Sequence, residues 1–166
     1  MANIFGNGAA NVLGIAGAAV DNIFGFGGND TLNGFGGNDY LSGGTENDIL
    51  RGGGGQDVLE GGSGFDRFDY DSVAQSPVGA GAFAGDFIVD FVGNGGAAGD
   101  QIDLSTIDAN VNVAGNQAFV VGQLSYSATG ILLADVIGGA DLEIALVGTV
   151  GIPPLDIVGA TNDIIL

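Results

Sequence analysis

Gly52-Gly53-Gly54-Gly55-Gln56-Asp57-Val58-Leu59-Glu60 runs directly into Gly61-Gly62-Ser63-Gly64-Phe65-Asp66-Arg67-Phe68-Asp69. Each nine-residue block opens on a Gly-rich stretch, reaches an Asp at its sixth place and sets an apolar residue two places later. The same frame extends towards the N-terminus. Aspartates recur every nine residues at Asp21, Asp30, Asp39, Asp48, Asp57 and Asp66, and Ile23, Leu32, Leu41, Leu50, Leu59 and Phe68 follow them in step. Gly43-Gly44-Thr45-Glu46-Asn47-Asp48, Gly34-Phe35-Gly36-Gly37-Asn38-Asp39 and Gly25-Phe26-Gly27-Gly28-Asn29-Asp30 keep the pattern. The block from Ala16 to Asp21 is degraded, and the one from Gly6 has Asn11 in place of Asp. A fixed short period of this kind is the signature of a solenoid, in which no unit can bury its apolar residue alone and stacking builds the core.

Composition agrees with a repeat array. Gly contributes 34 of 166 residues, and 20 acidic residues face only Arg51 and Arg67, for a net charge of −18. Such a charge balance ordinarily means disorder, but 46% of the residues are hydrophobic. A chain with both properties needs something to neutralise its acids, and a cation is the simplest candidate, since nucleic acid and anionic membranes are repelled. Cys and His are absent. That excludes a disulfide framework, thiol or Ser-His nucleophilic catalysis and histidine-held zinc. No basic, apolar leader stands at the N-terminus, and no apolar run is long enough to cross a bilayer as a helix. Carboxylate pairs for glycoside chemistry cannot be told from cation ligands by spacing alone.

Six residues of turn and three of strand per block explain the composition. Glycine permits the close backbone approach and positive φ of the turn, and the single inward apolar residue fills a thin core between two stacks of strands. The blocks resemble the RTX nonapeptide G-G-x-G-x-D-x-U-x, U being a large apolar residue, over residues 6 to about 69. The resemblance implies a calcium-binding parallel β-roll with 18 residues per coil, in which Asp21, Asp39 and Asp57 share one edge and Asp30, Asp48 and Asp66 the other. Stacked carboxylates about 4.8 Å apart repel by roughly 3 kcal/mol at an effective dielectric near 20. Ca²⁺ between coils reverses the sign, because it takes six to eight oxygens in flexible geometry, whereas Mg²⁺ demands tight octahedral geometry. By the same resemblance, turn carbonyls complete each shell, including those of Gly25, Gly27, Gly34, Gly36, Gly43, Thr45, Gly52 and Gly54.

Past Phe68 the period stops. Asp71 to Gly85 reads as a connection, and strand-like segments follow at Phe87 to Val92, Ala118 to Val121, Gly130 to Val136 and Leu142 to Val147. The expected architecture is all-β: a parallel β-roll over residues 1–69 and an antiparallel β-sandwich-like C-terminal cap over residues 70–166. This second half is similar to the C-terminal domain of serralysin-type metalloproteases and related type I secreted proteins. The resemblance rests on Asp86-Phe87-Ile88-Val89-Asp90-Phe91, Gly99-Asp100-Gln101-Ile102-Asp103-Leu104-Ser105, Leu142-Glu143-Ile144-Ala145-Leu146 and the ending Asn162-Asp163-Ile164-Ile165-Leu166. It implies that Asp163-Ile164-Ile165-Leu166 belongs to an uncleaved secretion signal; the segment equally reads as a last edge strand, and both can hold. Asp86, Asp90, Asp100 and Asp103 read either as ligands of one further Ca²⁺ or as solvated or capping carboxylates.

Serralysins also carry H-E-x-x-H, which a chain without histidine cannot have. The expectation is therefore a non-catalytic, calcium-binding module that folds on Ca²⁺ outside the cell and leaves through a type I secretion apparatus, freestanding or C-terminal to an upstream catalytic domain. Two other classes fit the residues: an extracellular polysaccharide-binding or adhesin-type module, since similar rolls occur beside alginate epimerase domains and in adhesins, and a small structural calcium-binding protein.

Overall fold

A computed structural model describes residues 1–79, 83–93, 99–107, 112, 114, 117–119, 123–127, 129–147 and 164–165. Its strands are β1 (Asn3–Asn7), β2 (Val12–Leu13), β3 (Asn22–Gly27), β4 (Thr31–Asn33), β5 (Tyr40–Thr45), β6 (Ile49–Arg51), β7 (Val58–Ser63), β8 (Arg67–Asp69), β9 (Asp86–Ile88), β10 (Gln101–Asp103), β11 (Leu124–Tyr126), β12 (Ile131–Ala134), β13 (Leu142–Leu146) and β14 (Ile164–Ile165). Odd and even strands of the repeats separate into two sheets. One is ordered β1-β3-β5-β7-β9-β13-β12-β11, the other β14-β10-β8-β6-β4-β2.

All pairings from β1 to β8 are parallel. The register advances by 18 residues per coil, as in Ile23↔Leu41 and Leu32↔Leu50. Alternation along each strand then points one residue per repeat inward. Ile23, Leu41, Leu59 and Ile88 stack in one sheet and Leu32, Leu50, Phe68 and Ile102 in the other, all fully buried. Each contributes about 1.5–3 kcal/mol of burial free energy, so the core is a column one side chain deep per sheet. This is the parallel β-roll expected from the period.

The roll does not end at residue 69. β9 pairs parallel with β7, and β10 with β8, so both sheets run on into the C-terminal half. β13 and β14 add a sixth parallel layer on β9 and β10. Antiparallel pairing among the described residues is confined to β11, β12, β13 and an isolated bridge between Pro77 and Leu142. Loops between the repeats and β9 or β10 hide this continuation, since they break the nine-residue frame while leaving the stacking intact. In the connection, a short 3₁₀ turn, Val73–Gln75, is held by a capping box between Ser72 and Gln75. Residues 118–119 of the second expected C-terminal strand are not in a strand, and 120–121 lie outside the described residues.

The turns carry one local conflict. The second place of the block is Gly44, Gly53 and Gly62 in three repeats, each with φ near +100° (115°, 95° and 99°). Phe26 and Phe35 fill that place in two others at φ 75° and 67°. A side chain with a Cβ in this left-handed region costs about 1–2 kcal/mol.

Candidate metal centre

The six repeat aspartates form two ladders along the edges of the roll. On one edge the N–H of Asp21 donates to Oδ1 of Asp39 and that of Asp39 to Oδ1 of Asp57, both at 2.8 Å. On the other, Asp30 N–H donates to Asp48 Oδ1 at 2.7 Å and Asp48 N–H to Asp66 Oδ1 at 2.8 Å. The four expected pairs are therefore brought together. All six side chains are buried, from 0% exposed at Asp57 to 5% at Asp21.

One oxygen per carboxylate is thus spent on the neighbouring coil. The other, Oδ2 of Asp30, Asp39, Asp48, Asp57 and Asp66, is buried with no hydrogen-bond partner. Turn carbonyls crowd these oxygens. A Cβ placed on Gly25 would fall under 3.0 Å from both Asp30 Oδ2 and the carbonyl of Gly43. Gly34 stands in the same relation to Asp39 Oδ2 and the Gly52 carbonyl, and Gly43 to Asp48 Oδ2 and the Gly61 carbonyl. At each of these glycines the two nearest atoms to that Cβ are oxygens, one of them a carboxylate oxygen with no donor. A hard dication with oxygen ligands fits that donor set, and a buried carboxylate left alone does not.

The remaining expected carbonyls divide. The Gly25 carbonyl lies beside the Asn11 side chain at the Gly6 cradle, the position equivalent to Asp30 at Gly25. Gly27 and Thr45 are register partners at the ends of β3 and β5, and Gly36 and Gly54 form an isolated parallel bridge. The carbonyl of Gly34 accepts from Gly36 N–H at 2.9 Å and that of Gly54 from Gly37 N–H at 2.8 Å, so a metal would have to share them. Gly61, not among the expected ligands, joins the Gly43 and Gly52 set, and its place at the head of a repeat was the available signal.

The four later acids do not act alike. Asp86 Oδ1 accepts from Asp57 N–H at 2.8 Å and Asp100 Oδ1 from Asp66 N–H at 3.0 Å, so each ladder continues by one rung outside the nonapeptides. The Asp86 carboxylate is also buried and has the buried Tyr70 hydroxyl as its neighbour, whereas Asp100 Oδ2 accepts from Val92 N–H at 2.8 Å. Asp90 caps the last turn, accepting from the N–H groups of Gly61 and Gly62 at 3.0 and 2.7 Å. Asp103 accepts from Ser105 and lies 3.5 Å from the Arg67 guanidinium. Capping thus describes Asp90 and Asp103. Among the described residues no three acidic side chains converge on one centre.

Electrostatics follow from the stacking. Burial, opposed by the ladder hydrogen bond and reinforced by the neighbouring carboxylate, raises Asp48, Asp57 and Asp66 to about 6. Burial likewise lifts Asp100 to about 6 and Asp86 to about 8, and raises Asp30 and Asp39. Both arginines lie elsewhere, on β6 and β8. Arg51 pairs with Asp69, and Arg67 sits 3.8 Å from Asp69. The arginines therefore do not neutralise the ladders; the N-terminal ammonium lies 3.9 Å from Asp21 Oδ1, at one end of one ladder. Of the segment expected to belong to a secretion signal, Asp163 and Leu166 lie outside the described residues; Ile164, on β14, is fully buried against β10.

Comparison with known proteins agrees with this geometry. The profile of the RTX calcium-binding nonapeptide repeat (4 copies) matches residues 14–41 and 33–68. The family binds Ca²⁺ through such repeats. Among solved structures, the AlgE6R2 subunit of the Azotobacter vinelandii mannuronan C5-epimerase is 30% identical, over 88% of this chain and 84% of that one, with a TM-score of 0.40. The AlgE6R3 subunit of that enzyme is 25% identical, over 95% and 90%, with a TM-score of 0.34. No curated protein matches. The repeat match identifies residues 14–68 of this chain as RTX calcium-binding nonapeptide repeats.

Proposed function

We propose that the chain is a non-catalytic module whose roll is completed by Ca²⁺ outside the cell, and that it leaves the cell unfolded through a type I secretion apparatus. The observation that carries this reading is the pair of buried carboxylate ladders with unpartnered Oδ2 atoms. The ions sit between same-edge coils, at Asp21/Asp39, Asp39/Asp57, Asp30/Asp48 and Asp48/Asp66, with carbonyls of the Gly25, Gly27, Gly34, Gly36, Gly43, Thr45, Gly52 and Gly54 set beside them.

Ca²⁺ supplies positive charge and flexible coordination. The chain's own residues do the rest: Oδ1 ties each coil to its neighbour while Oδ2 and the carbonyls wait for the ion. Four ions add about +8 where the charge is densest. Extracellular calcium modules bind with Kd of about 10⁻⁴–10⁻³ M, so the sites fill outside the cell and stay empty in the cytosol. Binding restricted to the folded state then stabilises it by RT ln(1 + [L]/Kd) per independent site, and stacking makes the transition steep. A chain without Cys cannot be locked by a disulfide before export. Among the described residues no helix is long and apolar enough to cross a membrane.

The test is a calcium titration of the purified chain followed by circular dichroism, beside export from cells with a type I apparatus. Strand signal that rises steeply with calcium, and export that needs Asp163 to Leu166, are the expected results. A roll equally folded in chelator overturns the folding switch, and normal export of the truncated chain overturns the signal.

A further inference from the structure

The outer face of the larger sheet carries a feature that calcium binding does not use. Alternation on β1 and β3 sends Asn3, Phe5 and Asn7, and Asn22, Phe24 and Phe26, away from the core, in register across the two strands. The three phenylalanines stack. Phe5 and Phe24 have ring centroids 5.6 Å apart and planes within 17°. Phe5 and Phe26 are 6.2 Å apart within 14°, and Phe24 and Phe26 6.3 Å apart within 20°. Phe5 is nevertheless 60% exposed and Phe26 55%. The cluster thus presents ring surface to solvent.

Phe26 makes this arrangement costly. It takes the left-handed turn place that Gly44, Gly53 and Gly62 occupy elsewhere in the roll. Phe35 takes the same place at φ 67° and is 47% exposed, so the turn tolerates an aromatic; what distinguishes Phe26 is its contact with Phe5 and Phe24. Amides border the rings: Asn22 Nδ2 donates to Asn3 Oδ1 at 2.9 Å beside Phe5 and Phe24, and Asn7 lies in register with Phe26.

We propose that Phe5, Phe24 and Phe26 form a binding platform for an uncharged pyranose polysaccharide. The apolar C–H face of a sugar ring stacks on aromatic rings, and hydroxyls at its rim exchange hydrogen bonds with side-chain amides. Charge selects the class. The chain carries −18 overall, and Arg51 and Arg67, its two basic residues, lie in the opposite sheet, held by Asp69 and Asp103. An anionic polymer has no partner on this face and meets a repulsive field. A second copy of the chain meets the same repulsion. Two acids border this face: Glu60 is engaged by the Tyr40 hydroxyl, and Glu46 accepts from Gly28 N–H at 2.9 Å, two residues from Phe26. The platform needs the folded roll, and to that extent it rests on the calcium reading.

The test is native affinity electrophoresis of the full chain in calcium, in gels containing hydroxyethyl cellulose, galactomannan, soluble starch or polygalacturonate. The expected result is retardation by at least one neutral polymer and none by polygalacturonate. Phe5→Ser and Phe26→Gly weaken that retardation, together by about tenfold, while calcium-induced circular dichroism is unchanged. Phe26→Gly keeps the test interpretable, because it installs the residue other repeats use. Retardation by no neutral polymer overturns the proposal, as does retardation that survives both substitutions or is as strong in polygalacturonate. Concentration-dependent dimerisation abolished by Phe5→Ser overturns it in favour of a second copy. Retardation that persists in chelator with an intact roll supports the platform while removing the calcium switch.

Discussion

The N–H of Asp39 donates to Oδ1 of Asp57 at 2.8 Å, and the Oδ2 atoms of both carboxylates are buried without a hydrogen-bond partner. One side chain therefore does two jobs, a hydrogen bond backward along the edge and an open oxygen beside the turn.

Asp48→Ala and Asp57→Ala each remove a ligand from the turns flanking their coil and orphan a buried N–H, that of Asp30 or Asp39. The lost bond alone costs about 1–3 kcal/mol, about five- to 150-fold in the folding equilibrium, and the calcium needed for folding rises accordingly. Asp71 is exposed, so Asp71→Ala leaves the midpoint within about twofold. Circular dichroism titrations compare the three, and equal midpoints contradict the assignment.

Asp100→Ala behaves like a repeat substitution although it lies outside the nonapeptides. It strips acceptors from Asp66 N–H and Val92 N–H, with a loss of about 2–5 kcal/mol. Denaturant melts of the calcium-loaded chain measure it. A change under about 0.5 kcal/mol, the range of ordinary surface substitutions, would show the extra rung to be idle.

Acidity substitutes for calcium. The folded-state values of Asp48, Asp57, Asp66 and Asp100 stand at about 6 and that of Asp86 at about 8, against 3.8 without the fold. Groups raised in this way stabilise the fold below 3.8 and lose that contribution as pH climbs through 6, and through 8 for Asp86. In chelator, strand signal is expected to grow as pH falls from 8.5 to 5, while calcium affinity drops over the same interval because protons compete for the carboxylates. Circular dichroism across that range, with and without calcium, checks both; greater order at pH 8.5 in chelator would reverse the sign.

Ile164 separates packing from export. Ile164→Ala empties a fully buried position on β14, against β10, and is expected to cost about 2–5 kcal/mol while export continues. Deleting Asp163 to Leu166 is expected to stop export. Equal loss in both would assign the segment to the fold alone, and paired stability and secretion measurements decide it.

The nonapeptide frame made the repeats legible. It located the six ladder aspartates and the six stacked apolar residues, because turn and strand lengths are locally encoded and repeated without insertion. Asp86 and Asp100 were legible only as acids. Their rungs lie 29 and 34 residues after Asp57 and Asp66, and no period survives a loop of arbitrary length. The parallel course of β9 and β10 was hidden for the same reason. The stack of Phe5, Phe24 and Phe26 was hidden too, because β1 and β3 pair across 19 residues, one more than the period of the later coils.

The ladders have a direction. Every rung satisfies the backbone of the coil before it: Asp21 receives Ala2 and Asp30 receives Asn11, up to Asp86 and Asp100, which receive Asp57 and Asp66. Asn11 turns back on its own coil instead, accepting from Asn7 N–H at 2.9 Å. The asparagines run the other way: Oδ1 of Asn29, Asn38 and Asn47 accepts from the N–H of Asn47, Gln56 and Phe65 in the coil that follows. Each inner coil is therefore tied to its successor through aspartates and to its predecessor through asparagines, so removing either neighbour strips acceptors from it.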